Sequence, residues 1–179
     1  MNILQTKFSE VFVIESKSFN DFRGSFMKFF NKNFFTDNNL ESNFIDLNYS
    51  DSISPGVFRG FHYQNPPFDE VKLVKCIKGK IIDYIVDIRK NSLTYGQWVS
   101  EILSEENKKQ LWIPEGFAHG FLTLSDYAEV QYKTNNYYSP GCEISIDPFD
   151  KDISIKWPNI SCNYILSEKD KGGLDFKGL

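Results

Sequence analysis

The chain has 179 residues and a mass of 20.8 kDa, a length that suits one domain over residues 1–179. Hydrophobic residues make up 41% and charged residues 25%, enough to bury a core, so a disordered chain is excluded. A net charge of −4 argues against broad binding of nucleic acid, and no apolar run approaches the roughly twenty residues of a membrane span.

The opening MNILQTKFSE has no charged stretch followed by an apolar one, so no signal peptide is expected and the chain is expected in the cytoplasm. Residues 11–16 and 24–30 read as short strands, and residues 33–40 as a short helix. Residues 56–63 form the next strand candidate, after the turn Ser54-Pro55-Gly56. Residues 72–77 and 81–89 are apolar segments joined by Lys78-Gly79-Lys80, which predicts a hairpin turning at Gly79. In the second segment Ile82, Tyr84, Val86 and Ile88 share one face, while Asp83 and Asp87 alternate with Ile81 and Ile85 on the other. Residues 97–103 are another strand candidate, and Ser104 could cap one helical turn at residues 105–108. Short strands follow at residues 111–113 and 121–124. In residues 128–134, Ala128, Val130, Tyr132 and Thr134 share one face, and Glu129, Gln131 and Lys133 the other. Residues 144–146 close the series. Many short strands with regular turns, in a chain with 17 Phe and 9 Tyr, predict an all-β sandwich or barrel.

Three cysteines, Cys76, Cys142 and Cys162, stand far apart, which excludes a zinc finger and a disulfide framework. Only two histidines exist. Strict alternation in Phe58-Arg-Gly-Phe-His-Tyr-Gln64 places Phe58, Gly60, His62 and Gln64 on one face. His119 lies in Pro114-Glu-Gly-Phe-Ala-His119, and a Pro-x-Gly-x-x-His segment after a strand is a cupin signature.

Val57-Phe-Arg59-Gly-Phe-His62-Tyr-Gln64, Lys72-Leu-Val, Val86-Asp-Ile-Arg89, Trp112-Ile-Pro-Glu-Gly-Phe-Ala-His119-Gly-Phe and Tyr132-Lys-Thr-Asn-Asn-Tyr-Tyr138 resemble the dTDP-4-dehydrorhamnose 3,5-epimerase family. The resemblance runs from Asp21-Phe-Arg23-Gly24 to Trp157-Pro158 and returns at Leu166-Ser-Glu-Lys-Asp170. It implies a cupin-type β-barrel, a homodimer, and a metal-independent epimerase with no cofactor. Its substrate would be a nucleoside-diphosphate 4-keto-6-deoxy sugar, inverted at C3, C5 or both in deoxysugar and surface-polysaccharide biosynthesis. By resemblance His62 is the base, Asp170 the carboxylate that supports it, Tyr132 the acid and Lys72 the group beside the developing enolate. Arg23, Asn48, Arg59, His119, Glu143 and Lys169 hold the substrate, and Tyr138 stacks on the nucleobase. Asp83, mid-strand, is expected to pair with Lys72 or His119 if it turns inward. Arg59 and His62 have opposite parity yet serve one site, which predicts a bulge at Gly60.

Two segments depart from the family pattern. Lys28 replaces the usual Glu, and Asp46-Leu-Asn48-Tyr49 replaces the usual Gln-Asp-Asn-His. They leave open a purine nucleotide or a heptose. A metal-dependent cupin oxygenase is disfavoured, because the first motif reads His62-Tyr63-Gln64 rather than His-x-His. A non-catalytic sugar-nucleotide-binding cupin is the other alternative; His62 together with Tyr132 counts against it.

Overall fold

A computed structural model describes residues 1–179. In chain order the strands are β1 (Asn2–Gln5), β2 (Phe12–Glu15), β3 (Ser18–Asp21), β4 (Gly24–Met27), β5 (Asp46–Ser52), β6 (Phe58–Gln64) and β7 (Lys72–Lys78). They continue with β8 (Lys80–Asp87), β9 (Trp98–Ser104), β10 (Gln110–Ile113), β11 (Phe117–Thr123), β12 (Ala128–Thr134) and β13 (Glu143–Ser145). Two short helices, α1 (Lys32–Asp37) and α2 (Glu168–Lys171), complete the set with a final 3-10 turn. No helix is long and apolar enough to cross a membrane.

Two antiparallel sheets face each other. One runs β1-β2-β10-β7-β12-β5 and the other β13-β6-β11-β8-β9; β3 and β4 form a separate two-stranded hairpin. Val13, Val74, Leu111 and Val130 from the first sheet meet Ile81, Ile85, Leu103 and Phe121 from the second, so the main core lies between them. A second core covers the outer face of the five-stranded sheet, where Tyr84, Val86 and Leu122 pack with Ile153 and Phe176 of the C-terminal segment. A third lies outside the six-stranded sheet, with Phe35 of α1 against Leu73 and Trp112. Both faces of β8 are therefore buried. Its wholly apolar face points outward, and its mixed face brings Ile81, Asp83 and Ile85 inward.

The proposed hairpin at Gly79 is not one. β7 pairs with β10 and β12, whereas β8 pairs with β11 and β9. Gly79, at φ +73°, is the corner where the chain changes sheets, and a Cβ there would run into the Tyr127 carbonyl. Residues 105–107 form a turn rather than a helix, although Ser104 Oγ does accept the Asn107 N–H at 3.1 Å. β1, β3 and β5 were not foreseen; β5 is an edge strand in which only Leu47 and Tyr49 interrupt Asp, Asn and Ser, and Asp and Asn have low strand preference.

Strict alternation in β6 fails at Gly60. His62 pairs with His119 and Arg59 with Phe121, so β6 carries one residue more than β11 in that interval. Gly60 has φ +125°, and a Cβ there would lie 2.5 Å from Gly120 Cα and 2.7 Å from the His119 carbonyl oxygen. The bulge puts Phe58 and Phe61 together in the outer core, ring centroids 5.3 Å apart. It turns Arg59 and His62 into one cavity.

Candidate active site

The cavity, of about 480 Å³, opens between the sheets, and a neighbour of about 340 Å³ adjoins it. His62, Lys72 and Tyr132 line both. His62 stands on β6 of the five-stranded sheet. Tyr132 stands on β12 of the facing sheet, packed on the main core beside the inward residues Ala128 and Val130. An imidazole and a phenol therefore approach the same space from opposite walls.

His62 Nε2 lies 2.6 Å from Asp170 Oδ1. Asp170 is buried on α2, whose first turn is capped by Ser167 Oγ accepting the Asp170 N–H at 3.1 Å. Burial works to raise the Asp170 carboxyl. The hydrogen bond and charge of His62, then Ser167 and the Gly60 N–H, outweigh it and hold the group below the usual carboxylate range. A carboxylate so held fixes one imidazole nitrogen and leaves the other free to take a proton.

His119, opposite His62 across the β6–β11 pair, forms a second dyad, with Nε2 at 2.9 Å from Asp83 Oδ2. Asp83 is fully buried; burial raises its carboxyl, and His119 and Lys72 act against that. Lys72 Nζ is 3.1 Å from Glu70. The Tyr132 phenol is raised first by burial and then by the charges of Glu70 and Glu143, with Arg59 opposing. A phenol held protonated is a proton donor.

Arg59 and Lys169 also line the larger cavity; Arg59 donates to the Asp51 carbonyl at 2.8 Å. Asn48, Tyr138 and Glu143 line the smaller one. Glu143 binds Lys169 Nζ at 2.5 Å and accepts from Tyr138 OH at 2.6 Å. Burial would raise the Glu143 carboxyl, but these partners and the His62 charge lower it. No three His, Cys, Asp or Glu side chains converge closely enough to hold a metal ion.

Two of the expected substrate contacts are not brought here. Arg23, in the β3–β4 hairpin, is exposed and paired with Asp21 at 2.7 Å, and Lys28 just follows β4. Neither lines either cavity of its own chain, because the hairpin belongs to neither main sheet. Conversely Glu70 and Ser50 line the site and were not foreseen, while Asp46, in the segment that departs from the family pattern, lines the smaller cavity. The only available signal was that Glu70 sits two residues before Lys72, hence on its side of an extended chain.

A family profile described as dTDP-4-dehydrorhamnose 3,5-epimerase matches residues 5–178. The dTDP-4-dehydrorhamnose 3,5-epimerase of Shigella flexneri is 49% identical over 177 residues, covering 98% of this chain and 96% of that protein. The chain belongs to the dTDP-4-dehydrorhamnose 3,5-epimerase family. Like its family it is an isomerase, an epimerase acting on sugar nucleotides, with the cupin jelly-roll fold. The dTDP-6-deoxy-D-glucose-3,5-epimerase of Legionella pneumophila, solved with dTDP-4-keto-L-rhamnose, superposes with a TM-score of 0.93 at 41% identity, covering 98% of this chain and 93% of that one. The dTDP-4-dehydrorhamnose 3,5-epimerase of Bacillus anthracis, solved with TDP and PPi, gives 0.93 at 38%, covering 97% and 98%. The family assignment does not favour the non-catalytic sugar-binding reading.

Proposed function

We propose that the protein inverts the carbons flanking the ketone of a dTDP-linked 4-keto-6-deoxy hexose. The observation that carries the reading is the His62–Asp170 dyad facing Tyr132 across one cavity. Both C3 and C5 adjoin the C4 carbonyl, so their hydrogens are acidified. His62 takes one of these protons, and the C–H electron pair moves into the ring as the C4 oxygen becomes an enolate. The Lys72 ammonium stabilises that oxygen. The Tyr132 phenol then gives a proton to the opposite face, the enolate returns to a ketone, and the configuration is inverted. His62 and Tyr132 recover their starting states by exchange with solvent. Arg59 suits the diphosphate through its planar fork, and Tyr138 the nucleobase. The thymidine carrier is supported by the names of the relatives and by the nucleotides in their structures.

The test is incubation in deuterated water with dTDP-4-keto-6-deoxyglucose, followed by NMR. Deuterium at C3, C5 or both and an inverted product are expected. Absence of exchange sinks the reading, and equal turnover of a GDP-linked 4-keto sugar overturns the choice of base.

We also propose a homodimer in which the β3–β4 hairpin lies on the partner and delivers Arg23 to the partner's cavity. The hairpin exposes Phe19, Phe22 and Phe26, an apolar surface that the chain itself leaves uncovered. Light scattering is expected to give twice the 20.8 kDa chain mass, and Arg23→Ala to raise KM while sparing kcat. A single-chain mass at micromolar concentration ends the dimer proposal.

A further inference from the structure

Beside Lys72 stands a carboxylate that the proposed chemistry leaves without a role. Glu70 lies just ahead of β7 and lines the smaller cavity. Its Oε1 is 3.1 Å from Lys72 Nζ, and the two side chains are only 13% and 12% exposed. Solvent and salt therefore screen this pair weakly. Lys72 also feels a second carboxylate. Asp83 is fully buried behind His119; its Oδ2 is taken by His119, while its Oδ1 has no hydrogen-bond partner. The Lys72 charge acts on Asp83. An ammonium on a flexible four-carbon stem settles where its strongest partner holds it. Glu70 holds it at the rim shared by both cavities, which His62 and Tyr132 also line.

We propose that Glu70 is a positioning residue for the epimerisation, holding the Lys72 ammonium at the junction of the two cavities and away from the unpartnered oxygen of Asp83. This rests on the role proposed above for Lys72. An ammonium paired with a single Glu70 oxygen still has N–H groups to offer to an enolate oxygen. Without Glu70 the buried Asp83 still acts on the ammonium, which is drawn toward it and away from the substrate. The substrate still binds, because its diphosphate and base are held elsewhere. The stabilisation lost belongs to the transition state.

Glu70→Gln keeps the shape and removes the charge. Displacing the ammonium by about an ångström is expected to lower kcat by about 10- to 100-fold while KM stays within about threefold. Glu70→Asp, which restores a carboxylate, is expected to recover part of that loss. A Glu70→Gln kcat within about twofold of the unmodified protein, or a loss confined to KM, overturns the proposal. A second readout is independent of substrate. The 15N ammonium resonance of Lys72 is expected to shift or vanish in Glu70→Gln, and an unchanged resonance overturns the proposal. If the unmodified protein exchanges no deuterium while that resonance does move, the proposed function is at fault and the Glu70–Lys72 arrangement stands.

Discussion

His62→Ala abolishes solvent exchange at both carbons flanking the ketone; this is the expected result of removing the proposed base. Positioned general bases contribute about 10²- to 10⁴-fold, and no neighbour is free to substitute. Asp170 is buried and held below the usual carboxylate range, which makes it a weak base. Glu70 is engaged by Lys72, and His119 by Asp83. Nucleotide binding is expected to persist, because Arg59, Asn48 and Tyr138 are untouched. The variant leaves the buried Asp170 carboxylate without its imidazole partner, which costs stability. His62→Asn therefore serves as a companion that fills part of the space. The measurement is deuterium incorporation by NMR beside a dTDP binding isotherm and a melting curve. Exchange near the unmodified rate in a folded variant would place the base elsewhere.

Tyr132→Phe separates the two halves of the reaction. The substitution removes one oxygen and keeps the ring that packs against the core between the sheets, so little destabilisation is expected. On the proposed assignment His62 still takes the proton and Lys72 still meets the enolate. With no donor on the far face, the enolate is quenched from the His62 side with retention. Deuterium washes in while inversion slows by about 10²- to 10⁴-fold. Exchange and inversion are read from one NMR time course, so their ratio is internally controlled. A variant that inverts at the unmodified rate refutes the acid assignment, and one that loses exchange and inversion equally shows that Tyr132 serves the abstraction step instead.

Strands whose two faces differ in polarity were readable in advance. The period-two pattern of residues 128–134 coincides with β12 and aims Tyr132 inward as expected. The conflict of parity between Arg59 and His62 pointed to the bulge found at Gly60. The alternation drawn through Phe58 and His62 failed for the same reason, because one added residue reverses every side chain beyond it. The segment Lys78-Gly79-Lys80 misled because a glycine at positive φ serves a hairpin and a sheet-to-sheet corner equally well. Nothing local tells which sheet the next strand joins. β5 escaped notice because a polar edge strand carries little apolar signal, yet it supplies Asp46, Asn48 and Ser50 to the site.

Asp170 marks the division most sharply. Along the chain it sits in a charged turn, Glu168-Lys-Asp-Lys171, with the pattern of a solvated surface. In space it is buried at 2.6 Å from a histidine 108 residues away. Alternation and turn preference, being properties of a few neighbouring residues, settle an all-β chain, while the chemistry was legible only through the resemblance of longer motifs to a known family. Which groups meet depends on how the two sheets stack and how the C-terminal segment folds back over β6. Those contacts join residues too far apart in the chain for any local pattern to record them, and it is burial there that turns ordinary carboxylates into partners for His62 and His119.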